Sequence, residues 1–294
     1  MVASEQIEQH GLLKFFLITF AITWPCFSAV AAFSAGAAPN LAGLRGPILF
    51  LGIFAPAIVA LSLTAWGEGR EGVVGLLRRL VQGNVGARWY LFAIGYMAAV
   101  KLAVALLHRL FLGAWPRFGD EPWYIILGAT FFSVIVGGQT GEEIGWRGFA
   151  LPRLASRFGL GSASILLGVI WALWHLPLFF VREADTYGQS FFLYTLQVTA
   201  ISVAMAWLYQ RTNGSLLLTM LMHSAINQSK GIVPSGVPGA TNSFTFSASI
   251  VGWLTVAVLW LCAGYFLISM RRSALERGGA SALPVQAGTP ARAS

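Results

Sequence analysis

"PWYIILGATFFSVIVGGQTGEEIGWRGFALPRL", residues 122–154, divides into two unlike parts. Residues 122–141 contain no Asp, Glu, Lys or Arg, and then two carboxylates, Glu142 and Glu143, stand side by side. An uncharged, mostly apolar run of about 20 residues is what a helix needs to cross the hydrocarbon core of a bilayer. The carboxylates are therefore to be read against a membrane. The whole chain supports that setting. It has 294 residues, of which 56% are hydrophobic and 10% charged, and its mean hydropathy is +0.70. A soluble domain carries about 25% charged residues, so this chain cannot cover a water-facing surface. Its apolar runs are spread evenly, which excludes a soluble domain on a single anchor. The fold class is all-α, a polytopic integral membrane protein.

Eight apolar segments are long enough to cross: 12–34, 46–66, 89–109, 122–140, 161–181, 190–209, 214–230 and 247–270. The third contains Lys101 and the seventh is the shortest. The first is read as a retained helix, because Glu5 and Glu8 precede it in place of a basic cluster and the run exceeds a signal-peptide core. "EGVVGLLRRLVQGNVGARWY" (71–90) reads as an amphipathic, Arg-bearing stretch at the membrane surface. Residues 1–270 thus form a single transmembrane helical domain. The Ala, Gly, Pro and Ser of 271–294 predict a disordered cytoplasmic tail.

The net charge of +8 does not point to nucleic acid, since the basic residues sit in short loops between apolar runs. Loops of that kind orient a protein in the membrane and touch anionic lipid. With the N-terminus inside, thirteen Lys and Arg fall on the inner side and five on the outer, with Lys101 left within a span. That split predicts both termini in the cytoplasm. Cys26 and Cys262 lie in apolar segments and read as small buried hydrophobes.

Ionisable groups at membrane depth face a bundle interior or a cavity. Here they fall into three groups. Glu143 and Arg147 are i and i+4, about 40° apart around a helix, and can pair. Glu142 projects about 100° from Glu143 and faces elsewhere. Gly137, Gly141 and Gly145 recur at spacing four, a stripe of small residues expected to press this helix against those carrying the histidines. "WALWHLP" sets Trp171 one turn before His175, with Pro177 just beyond. "LMHSAIN" sets His223 one turn before Asn227. A carboxylate, two imidazoles and an amide can activate a water and stabilise an oxyanion. Glu142, His175 and His223 equally suit a divalent metal such as zinc, although no His-Glu-x-x-His is present. As a proton relay the same residues suit an ion-coupled transporter.

The forms Glu-Glu-x-x-x-Arg, aromatic-x-x-x-His and His-x-x-x-Asn, in this order on successive membrane helices, resemble the CAAX-protease and bacteriocin-processing family of intramembrane endopeptidases. The resemblance covers about 122–230. It departs from the family pattern at Trp171, where Phe is usual. It implies that Glu142 and His175 activate the attacking water, that Glu143 and Arg147 support the helix end, and that His223 and Asn227 steady the tetrahedral oxyanion. The expected substrate is a peptide or membrane protein cut near the cytoplasmic face. Asn227 beside His223 favours a metal-free site over a metalloprotease. Some relatives of this kind act as immunity or scaffold proteins without catalysis. The predominance of Arg over Lys, with abundant Ala and Gly, predicts a bacterial inner membrane as the location. Oligomeric state is left open.

Overall fold

The computed structural model describes residues 2–234, 243–246 and 248–280. Among them the chain forms nine α-helices, with 3-10 and π turns and no strand. In order they are α1 (Val2–Ser34), α2 (Arg45–Arg78), α3 (Ala87–Leu112), α4 (Trp123–Val136), α5 (Gln139–Glu143), α6 (Leu151–Trp174), α7 (Phe191–Arg211), α8 (Leu216–Gln228) and α9 (Ile250–Ala280). Each of the eight apolar segments coincides with a helix. Six helical stretches are long and apolar enough to cross a membrane, whereas α4 and α8 have 14 and 13 residues. The polytopic, all-helical class read from the sequence is the observed one.

Two glycines explain why helical segments outrun their apolar runs. Gly69 (φ 66°) and Gly159 (φ 74°) hold left-handed backbone inside α2 and α6, where a side chain would be strained. The first bends α2 at the end of its apolar part, and of the Arg-bearing stretch expected at 71–90 the helix covers only the part up to Arg78, with a 3-10 turn over Arg79–Val81 and α3 beginning at Ala87. The second separates the carboxylate-bearing chain from the rest of α6. At the other end of the molecule, α9 runs on to Ala280, past Arg271 where the expected tail begins; residues 281–294 lie outside those described.

The core is built on close backbone approach. Pro56, within α2, has no N–H to give the Gly52 carbonyl four residues back. The buried Thr23 hydroxyl of α1 donates to that carbonyl instead, at 2.9 Å, which answers an otherwise orphaned acceptor at membrane depth. The glycine stripe behaves differently from expectation. A Cβ on Gly141 would lie 3.0 Å from the Phe54 ring, and one on Gly145 would lie 2.8 Å from the Pro56 carbonyl carbon. The stripe therefore packs on α2, which carries no histidine. Gly137 has no part in it, since it ends α4 in extended backbone. Gly145→Val is accordingly expected to lower thermal stability by about 1–3 kcal/mol through overpacking, read as a lower Tm in detergent. Gly128→Ala, where no atom lies within 4 Å of the added Cβ, is the control and should leave Tm unchanged or raise it slightly.

α8 is short because it is interior. From Leu218 to Ala225 every residue is buried, and α3, α4, α5 and α7 surround it. Ser215 caps its N-terminus by accepting from the Leu218 amide at 3.3 Å. Ser224 donates to the Thr130 carbonyl of α4 at 2.6 Å and also bonds Ser133. Polar contacts of this kind hold helices together where lipid offers no hydrophobic drive.

Candidate active site

The two carboxylates sit on α5, and the chain leaves that helix through a π turn, Ile144–Ala150. The Leu151 amide bonds to the Trp146 carbonyl five residues back, the signature of the wider turn. Pro152 supplies a reason. It has no N–H for the Gly148 carbonyl, and its ring would crowd that oxygen in a regular α-turn. Arg79 donates to the released carbonyl at 3.3 Å. Every residue of the π turn is buried. The Pro152 signal was present in the sequence, but spacing alone suggested an ordinary helix.

The turn directs Glu143 and Arg147 together. They pair at 2.8 Å with both side chains 0% exposed, as their spacing predicts. The sequence reading did not anticipate the third member. His223 Nδ1 lies 3.0 Å from the same Glu143 oxygen. An Arg-paired carboxylate only accepts, so Nδ1 carries the proton and donates, and Nε2 is left free. His223 is thus held by a carboxylate from a different helix. Asn227, one turn further along α8, is exposed and makes no side-chain hydrogen bond among the described residues. The structure brings His223 to Glu143 and does not bring Asn227 into the buried cluster.

Glu142 faces the other way, as helical spacing requires. Its carboxylate accepts from the Trp171 indole N–H at 2.7 Å and is 3.9 Å from His175 Nε2. His175 stands at the end of α6, where Pro177 converts the chain to a 3-10 turn, Leu176–Phe180. Its Nδ1 is 2.8 Å from the Trp171 carbonyl. A carbonyl can only accept, so Nδ1–H donates, and in the neutral ring this leaves the Nε2 lone pair directed toward Glu142. The imidazole is fixed edge-on against Trp174 (4.7 Å between centroids, 88°) and near Tyr194 (5.6 Å). Trp174 is fully buried and packs on Trp146 and Phe27.

Trp171 ties the two halves together. Its ring meets His223 edge to face at 5.1 Å, and the Arg147 guanidinium lies 4.2 Å from its centroid. Outside the spans, the loop after His175 is anchored on both sides. Arg45 and Ser34 bind Glu183, whose carboxyl they hold down at about 2, and Lys230 pairs with Asp185.

Among the described residues no three His, Cys, Asp or Glu side chains are grouped to hold an ion. His223 Nδ1 is committed to Glu143, and Glu142 Oε2 already accepts from an indole.

Comparison with known proteins finds similarity over the stretch that contains this cluster. Residues 121–229 match the family model described as "Type II CAAX prenyl endopeptidase Rce1-like", a span that contains all seven residues of the three motifs. The chain is also 29% identical over 226 residues to "CAAX prenyl protease 2" of Methanococcus maripaludis, covering 72% of this chain and 81% of that protein. The family resemblance carried by the motifs is thus found over a stretch longer than the motifs themselves. The chain is a polytopic membrane protein, similar over these stretches to CAAX prenyl endopeptidases.

Proposed function

We propose that this protein is an intramembrane endopeptidase in which Glu142 and His175 activate the water that attacks a peptide bond. The observation that carries the reading is the 3.9 Å gap between Glu142 Oε2 and His175 Nε2, with the imidazole tautomer set by the Trp171 carbonyl. Two acceptors at that distance are too far apart to bond each other and suitably placed to accept both hydrogens of one water. The water oxygen then presents a lone pair away from both. One proton passes to Glu142 as the oxygen adds to the substrate carbonyl carbon. That proton is later delivered to the departing amine, so the carboxylate is regenerated.

The developing oxyanion needs donors. Asn227 offers an amide one turn away on the open side of α8, and His223, whose Nδ1–H is given to Glu143, donates from Nε2 as the imidazolium. We assign these two to the oxyanion, with Glu143 and Arg147 fixing His223 through its Nδ1. The thirteen-to-five distribution of basic residues supports both termini, and the Arg-bearing ends of α2 and α6, being in the cytoplasm. His223 lies seven residues from the cytoplasmic start of α8, about 10 Å at 1.5 Å per residue, so cleavage occurs toward that face.

The test is purified protein in detergent and in sealed vesicles, offered a library of peptides and single-span membrane substrates. Release of two fragments by wild type, and none by Glu142→Gln, is the expected result. Solute movement across the vesicle wall without cleavage would assign Glu142, His175 and His223 to a proton relay and overturn the reading.

A further inference from the structure

We infer that Trp171 is a positioning residue, whose indole N–H aims the Glu142 carboxylate at His175 while its ring keeps that carboxylate from Arg147. The inference rests on the endopeptidase reading for its kinetic consequence and on the geometry alone for the hydrogen bond. Trp171 is 4% exposed, and its N–H is the one side-chain donor to Glu142 among the described residues. The oxygen it holds, Oε2, is the one that faces His175. On the ring's face lies the Arg147 guanidinium, whose Nε and Nη2 are buried without a hydrogen-bond partner. Those donors are the natural destination for a nearby carboxylate that loses its own. A Glu142 that turned to them would leave His175 and could no longer share a water with it. The indole is suited to both tasks, because its edge donates while its face covers the cation. A phenyl ring at this position could cover Arg147 but could not donate. This chain therefore holds its working carboxylate by a bond that the usual Phe of the motif cannot make.

The experiment compares wild type with Trp171→Phe and with the benzothienylalanine analogue at 171, which keeps the bicyclic shape and replaces N–H by sulfur. The sulfur analogue is expected to keep the wild-type Tm, Trp171→Phe to fall somewhat below it through the lost ring volume, and both to keep a KM within about twofold. Both should lose about tenfold or more in kcat, the scale of a hydrogen bond to a charged group. In parallel, tryptophan labelled at the indole nitrogen gives a Trp171 signal, assigned by its loss in Trp171→Phe. That signal should shift on Glu142→Ala. A wild-type kcat in Trp171→Phe, or in the sulfur analogue alone, would overturn the inference. So would an indole signal indifferent to Glu142→Ala. If wild type cleaves nothing, the endopeptidase reading falls, while the indole signal still decides whether Trp171 holds Glu142.

Discussion

Glu142→Gln should lose about 10²- to 10⁴-fold in peptide hydrolysis, the usual effect of removing a general base, with the folded protein unchanged. The amide oxygen that replaces Oε2 can still accept from the Trp171 indole at the position now 2.7 Å away, so the cluster keeps its shape while the proton acceptor is gone. His175→Ala should be as inactive for a different reason. It removes the Nε2 that shares the water and leaves the bulky neighbours Trp174 and Tyr194 to close the gap. Measured side by side, Glu142→Gln should match wild type in Tm, and His175→Ala should fall somewhat below it. Retention of more than about a tenth of wild-type kcat/KM by either variant would be too small a loss for the assigned roles.

Arg147→Ala should act on folding as much as on catalysis. Glu143 and Arg147 are fully buried and paired, and removing one partner leaves the other charge unanswered, at a cost on the order of 3–5 kcal/mol. A double exchange, Glu143→Arg with Arg147→Glu, is what a simple ion pair would tolerate. The structure predicts that it fails. It would set a guanidinium, which only donates, where the His223 Nδ1–H now finds its acceptor. Arg147→Lys should recover part of the stability, because it restores the charge but not the planar group stacked on Trp171. Thermal unfolding and activity of these variants in one detergent check the set. Should Arg147→Ala prove as stable as wild type yet inactive, Arg147 belongs to the chemistry and the division between a working Glu142 and a supporting pair is wrong.

Hydropathy made the class and the eight apolar segments legible, because a bilayer demands the same thing of every span: enough apolar residues and a backbone that satisfies itself. Helical period made the Glu143–Arg147 pair legible, along with the divergence of Glu142 from it, because both are relations within one turn of chain. The partners across helices were not of that kind. Nothing in the spacing of "LMHSAIN" says that His223 binds Glu143, eighty positions earlier, or that Asn227 stays outside the buried cluster. The glycine stripe was visible, but which helix it met was decided by Pro56 and Phe54 of α2. The tautomer of His175 and the donor to Glu142 both depend on Trp171, whose role as one turn of α6 is local and whose role as the junction of two carboxylates is not. Sequence determined which groups were costly enough at membrane depth to need partners. Tertiary structure alone decided which partners they found, since a buried polar group is satisfied by whatever packing brings within about 3 Å of it.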